Sequence, residues 1–388
     1  MKKIVYVTGS RAEYGIMKRL LLALALDPEI ELTIVATGMH CDEKYGLTYK
    51  VIEKDGLTID RLIDINIETS NNAKILNSMS ICQSEFGQYF QNNRFDAVMI
   101  LGDRYEIFSV AIAAAMHNLP IIHLHGGEKT LGNYDEFIRH AITKMSKLHL
   151  ASTEEYRQRI IQMGEHPDTV FNVGALGAEN SLLMDLPSKK ELEIKFGSLE
   201  KPYFMVVFHP ETLTSVSPSV QITELLNALT EFTEQYEFIF IGSNSDTGSD
   251  EITEKVKLFC AMTDSRFMTS VKPEEYLALN KYSKGLIGNS SSGLIEIPSL
   301  HIPTINIGDR QKGRVRGDTV FDCICQQSMI IEAISLTQTT LIHNKVANSI
   351  NPYYQQAVLE NALIAIKNFV NNPVELCKDF YDISSSIK

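Results

Sequence analysis

Apolar residues in this chain fall into short, nearly continuous runs separated by longer segments of helical spacing. The first half carries "KIVYVTG", "ELTIVATG", "FDAVMILGD", "LPIIHLHGG" and "KLHLAST", with the helical patterns "MKRLLLALAL" and "IFSVAIAAAMHN" between them. A strand apolar on both faces is one that helices cover on both sides, so these runs predict a parallel sheet in an α/β fold. A second cycle follows through "YFMVVFHP", "LLNALTEFTEQ", "FIFIGSN", "PEEYLALNKYS", "GLIGNSSS" and "IPTINIGDR". Two such series predict two Rossmann-type, doubly wound domains with a cleft between the carboxyl ends of their strands. The polar segment "LPSKKELEIKFGSLEKP" separates the cycles. We draw the domains as 1–180 and 181–353.

Candidate chemistry gathers just after the predicted strands. "TGSRAEYG" turns from the first strand into a helix at Arg11, which makes either an anion cradle or an ordinary strand-to-helix turn. "LGDRYE" ends another strand with Asp103 and Arg104. "HLHGGEKTLGNYDEFIRH", 123 to 140, is the densest stretch, with His123, His125, Glu128, Lys129, Asp135, Glu136, Arg139 and His140. A solvated loop needs no such mixture and a core does not tolerate it. Neighbouring titratable groups separate each other's pKa values, as proton transfer requires, so a proton-transfer site is expected here. In the second cycle, "FHPET" places His209 at a strand end and "IGNSSSGLIEIPS" puts Ser290 and Ser291 ahead of a helix that carries Glu296 about two turns in. Hydroxyls and N–H groups at a helix start suit a diphosphate. "GDRQKGRVRG" concentrates four cations, Arg310, Lys312, Arg314 and Arg316, and Arg310 is expected to point into the cleft.

The bulk numbers narrow the partners. The chain has 388 residues, 44% hydrophobic and 22% charged, with net charge -12, which disfavours a broad nucleic-acid face. No apolar stretch approaches the roughly 18 to 20 residues that cross a bilayer, and "MKKIVYVTGS" reads as a strand rather than a leader. Six cysteines are scattered; Cys323 and Cys325 are read as buried strand thiols, and the cytoplasm is the expected compartment. The dinucleotide fingerprint, the P-loop, H-E-x-x-H and the nucleophile elbow are all absent, so no metal and no cofactor is expected.

Taken together, "TGSRAEYG", "LGDRYE", "HLHGGEKT…DEFIRHAITK", "FHPET", "GSNSDTGS", "GNSSSGLIE" and "INIGDRQKGR" resemble the blocks of the hydrolysing UDP-N-acetylglucosamine 2-epimerases, in order and spacing from Met1 to about Tyr381. The likeness is nearest to the bacterial enzymes that make N-acetylmannosamine for sialic acid. The resemblance implies a GT-B-like fold with a C-terminal helix, about 354–388, crossing back to the first domain. It implies UDP and UDP-N-acetylglucosamine as ligands, held near His209, Asn244, Ser290, Ser291, Glu296 (on the ribose) and Arg310, with Arg11 and Arg104 approaching from the other side. Asp103, His125, Glu128, Asp135 and Glu136 are the implied catalytic groups, and a homo-oligomer, dimer or tetramer, is implied as well. Most of the family reads His-x-Glu where this chain has His125, which leaves the role open between His125 and Glu128. Three other functions stay in view: a relative acting on a 2,4-diacetamido-2,4,6-trideoxy UDP-sugar, a GT-B glycosyltransferase, and a UDP-sugar sensor.

Overall fold

A computed structural model describes residues 1–372, 375 and 377–383. Seven strands form the first sheet: β1 (Lys2–Thr8), β2 (Ile30–Thr37), β3 (Ile59–Ile63), β4 (Ala97–Leu101), β5 (Ile121–Leu124), β6 (Leu148–Ala151) and β7 (Val170–Asn172). Six form the second: β8 (Tyr203–Val207), β9 (Glu237–Ile241), β10 (Arg266–Met268), β11 (Leu286–Gly288), β12 (Thr304–Ile307) and β13 (Val320–Cys323). Their orders are β3-β2-β1-β4-β5-β6-β7 and β10-β9-β8-β11-β12-β13, and every pairing is parallel.

The central strands β4, β5, β6, β8, β9, β11 and β12 are buried along their whole length, which is why their sequences read as continuous apolar runs. Four strands lie outside those runs: β3, β7, β10 and β13. They are the outermost strands of the two sheets, each carrying exposed or half-buried positions. An edge strand has fewer neighbours to bury it, so its residues need not be apolar. Cys323 closes β13 and Cys325 lies beyond it; both are half-buried and free, so neither is the buried strand thiol expected of them.

Each sheet reverses its winding once, between β1 and β4 in the first and between β8 and β11 in the second. At such a point two neighbouring loops leave in opposite directions and open a crevice at the carboxyl ends. Gly288 makes the second one possible: its φ of 137° and the closeness of the Val207 backbone exclude any side chain.

The helix Leu176–Leu183 runs unbroken across the 180/181 division, so we propose the loop that follows it as the hand-over between the halves. From there the helix Lys189–Phe196, with a Ser188–Glu191 capping box, packs Leu192 under the second sheet. The helix Val358–Asn371 returns to the first sheet, burying Val358, Ala362, Ile366 and Val370 against the core around Ile4, Leu148 and Leu176. It ends at Asn371, short of the expected 388, and the described residues 377–383 are not helical; residues 373, 374, 376 and 384–388 of that expectation lie outside the described residues. No helix among the described residues is long and apolar enough to cross a membrane. Because Ile366 is fully buried in this seam, Ile366→Ala should cost about 2 to 5 kcal/mol of stability, read from urea unfolding.

Candidate active site

The four loops at the two reversal points face one another across a single cleft. After β1, Ser10 caps the helix Arg11–Leu26 by accepting from Glu13 N, and Gly9 N donates to Glu13 Oε2 at 2.8 Å. The Arg11 guanidinium donates to the Val271 carbonyl of the second half. After β4, Arg104 reaches in several directions. Its Nε lies 2.5 Å from Glu106 Oε1 and 3.7 Å from Glu13, one amino group donates to Ser245 Oγ at 2.5 Å, and the other is 3.7 Å from Asp246. Burial, and then the charge of Glu106, push the Glu13 carboxyl up to about 8 against the pull of Arg104.

The acid/base stretch follows β5. Gly127, at φ 75°, lies so near the Tyr156 carbonyl that a Cβ would come within 2.5 Å of it. His125 adopts φ 64°, a left-handed conformation rare for a residue with a side chain. Its Nδ1 is 2.9 Å from Glu128 Oε1, while its buried Nε2 has no protein partner and its ring lines the cleft. Glu128 also accepts from Ser152 at 2.9 Å and pairs with Arg314 at 2.8 Å. Burial alone would raise this carboxyl; Arg314 and His125 instead hold it at about 2. An ionised carboxylate only accepts, so Nδ1 of His125 is the donor in this contact.

Asp135 opens the helix Asp135–Met145, accepts from Asn133 at 2.8 Å and stands 3.8 Å from Arg310. Burial and the nearby Asp246 raise it to about 6, with Arg310 opposing. Asp103 lines the cleft and is paired with Arg139, a fully buried guanidinium that also donates to Glu128 O at 2.9 Å and Thr130 Oγ1 at 3.0 Å. Glu136 alone of the thirteen expected residues does not line the cleft: it takes the Thr130 N–H and pairs with Arg139 at 3.5 Å and His140 at 3.3 Å. Burial works against its ionised form, and these partners outweigh it, leaving its pKa below the usual range.

On the other wall, His209 is fixed by two bonds to Asn289, and its Nδ1 accepts from Asn244 N at 3.1 Å. The imidazole pKa lies well below its ordinary value through burial, then Arg310 and Arg104, so the neutral ring presents Nε2–H. Asn244, Ser290 and Ser291 line the same wall. Ser291 caps a helix of only four residues, Ser292–Ile295, so Glu296 follows the helix instead of sitting two turns inside it. Burial raises the Glu296 pKa, with Ser292 and Arg11 opposing. Arg310 is nearly buried, donates to Asn289 O at 3.2 Å, and leaves its Nε without a protein partner. Among the described residues no cluster of His, Cys, Asp and Glu is placed to hold a metal.

Residues 22–367 match the family described as UDP-N-acetylglucosamine 2-epimerase. The chain belongs to this family. A protein named polysialic acid biosynthesis protein P7, from Escherichia coli, is 60% identical over 383 residues, covering 99% of this chain and 98% of its own. The GDP/UDP-N,N'-diacetylbacillosamine 2-epimerase (hydrolyzing) of Campylobacter jejuni is 38% identical, covering 83% of this chain and 84% of its own. The structure of the Neisseria meningitidis UDP-GlcNAc 2-epimerase bound to UDP-GlcNAc superposes with a TM-score of 0.77 at 18% identity, covering 95% of this chain and all of that one. At that identity the likeness concerns the fold, a GT-B-like pair of parallel α/β domains.

Five charged residues in or beside the cleft had no role assigned from the sequence: Glu13 and Arg314, which line it, and Glu106, Arg139 and Asp246, which pair with groups that do. All lie inside quoted blocks, yet nothing local says which acid will meet which guanidinium. Glu13 yields a test. Its folded pKa lies above its unfolded one, so the stability tied to its neutral form is present at low pH and lost as pH rises towards about 8. Glu13→Gln keeps the neutral shape and should raise Tm by about 2 to 4 °C at pH 8 and by less at pH 5. An equal shift at both values would contradict the raised carboxyl.

Proposed function

We propose that the chain is a hydrolysing UDP-N-acetylglucosamine 2-epimerase. A base takes the C2 proton while the C1–O bond breaks and UDP leaves with the electron pair, giving 2-acetamidoglucal. Water then adds its hydroxyl to C1 and a proton returns to C2 on the opposite face, giving N-acetylmannosamine for sialic-acid synthesis. The observation that carries this reading is His125, strained in backbone, tied at Nδ1 to an ionised Glu128, and lining the cleft with an Nε2 that has no protein partner. In this scheme His125 moves a proton and Glu128 orients it. Asp103 and Asp135 complete the acid/base set, and Glu136 steadies the loop at Thr130.

The C2 proton is barely acidic, so the departing diphosphate must be stabilised as its charge develops. Arg310, the His209 Nε2–H, Ser290 and Ser291 are suited to that task, aided by Arg11, Arg104 and Asn244. Glu296 is assigned the ribose. Action in the cytoplasm as a homo-oligomer, without metal or cofactor, belongs to the same reading. The Campylobacter relative keeps a second substrate in play, a 2,4-diacetamido-2,4,6-trideoxy UDP-sugar processed by the same steps.

Incubation with each UDP-sugar in heavy water, followed by proton NMR, tests both. UDP-N-acetylglucosamine should give UDP and free N-acetylmannosamine with deuterium at C2. Product that retains its C2 proton would rule out the elimination, and turnover of the diacetamido sugar alone would move the assignment to that substrate. His125→Ala should lower turnover about 10²- to 10⁴-fold while leaving UDP affinity near wild type by calorimetry. His125→Glu should keep measurable activity, with the limb of the pH–rate profile that the base governs moved to lower pH, because a carboxylate is the weaker base. Wild-type turnover in His125→Ala would remove His125 from the chemistry.

A further inference from the structure

The block "GSNSDTGS" supplies Asn244 to the cleft, but its single acid, Asp246, has no part in the reaction above. Asp246 follows β9 in the second half and is 3% exposed. Its Oδ1 lies 3.7 Å from Arg104, which belongs to the first half, and its Oδ2 lies 3.7 Å from Nη2 of Arg310. The same Arg310 nitrogen is 3.8 Å from Asp135. The adjacent Ser245 accepts from Arg104 at 2.5 Å and sits 3.2 Å from the Tyr105 hydroxyl. Asp246 Oδ2 is buried with no hydrogen-bond donor of the protein on it, and the residue does not line the cleft. It therefore stands beside two guanidiniums of the cleft and outside the cleft's own lining.

We propose that Asp246 is a positioning residue of the reaction: it holds Arg104 of one half and Arg310 of the other against a single carboxylate, and it competes with Asp135 for the charge of Arg310. The inference rests on the epimerase reading. Separations of 3.7 to 3.8 Å are charge contacts longer than hydrogen bonds, so they orient the arginines without locking them. Arg104 is also shared with Glu106 and Glu13, so neither arginine offers a full positive charge to an incoming diphosphate. That restraint has a use. UDP is a product as well as part of the substrate, and affinity spent equally on both slows release without helping the chemical step. The groups facing Asp135 are Arg310, Arg104 and Arg314, which favour its carboxylate, and Asp246, which opposes it, with Tyr134 beside them. Removing Asp246 should therefore make Asp135 a stronger acid and the arginines a stronger anion site.

The test compares wild type with Asp246→Asn and Asp246→Ser. Thermal melts check folding, calorimetry measures UDP affinity, and kcat is followed across pH. Both variants remove the charge, and the serine leaves room should the asparagine amide clash with the arginines and prevent folding. UDP should bind about threefold tighter or more, and the limb of the kcat profile near pH 6 should move down by about one unit. Asp246→Glu should return both towards wild type. A residue that only held the loop together would, when replaced, weaken UDP binding and lower Tm without moving the limb. Weaker UDP binding in both variants, or an unmoved limb, overturns the proposal. Wild type that neither binds UDP nor consumes a UDP-sugar overturns the epimerase reading and this inference with it, so the two failures are told apart by the unmodified protein.

Discussion

A charge taken out of water must find its opposite nearby, and that requirement shapes the whole cleft. Glu128 is 1% exposed and stays ionised because Arg314 arrives from the other half of the molecule. Desolvation of either partner alone would be several kcal/mol unfavourable, so the pair exists only when the halves meet. Arg104 makes the reciprocal crossing, leaving its own loop to engage Ser245 and Asp246. The first half brings more carboxyls than guanidiniums to the cleft, and Arg310 and Arg314 of the second half meet two of them, Asp135 and Glu128, at the junction.

The same requirement explains which groups are poised to titrate. Glu13 and Glu106 share one guanidinium, and Asp135 and Asp246 share another. In each pair one carboxyl is raised, to about 8 for Glu13 and about 6 for Asp135. Glu128, with a guanidinium and an imidazole to itself, goes the other way. One type of side chain thus spans several units of acidity within one cleft, set by how many cations each must share. His125 takes its orientation from this arrangement, since an ionised Glu128 accepts from Nδ1.

The scaffold delivers these groups through topology. Seven of the nine inner strands are buried along their whole length and β1 and β2 over their carboxyl-terminal parts, so polar side chains gather where strands end. Each sheet reverses once, and the loops after β1 and β4 meet those after β8 and β11. The return of the helix Val358–Asn371 to the first core ties the last part of the chain to the first.

The sequence by itself determined a good deal. Continuous apolar runs specify both-face burial, so the nine central runs, the α/β class and the placement of chemistry at strand ends were all legible, because burial acts on each segment locally. The edge strands β3, β7, β10 and β13 were not part of that pattern, since an edge imposes no such demand. In the site, twelve of the thirteen expected residues line the cleft; most stood out by their position after a strand, and Asn244 came only from the family resemblance. What remained hidden was pairing: that Arg139 holds Asp103, that Arg314 fixes the charge of Glu128, that Glu136 faces its own loop, and that Glu296 lies past a four-residue helix. These depend on distances of a few ångströms between segments tens to hundreds of residues apart. Coulomb energy in a dry site follows those distances, and only the folded chain decides them.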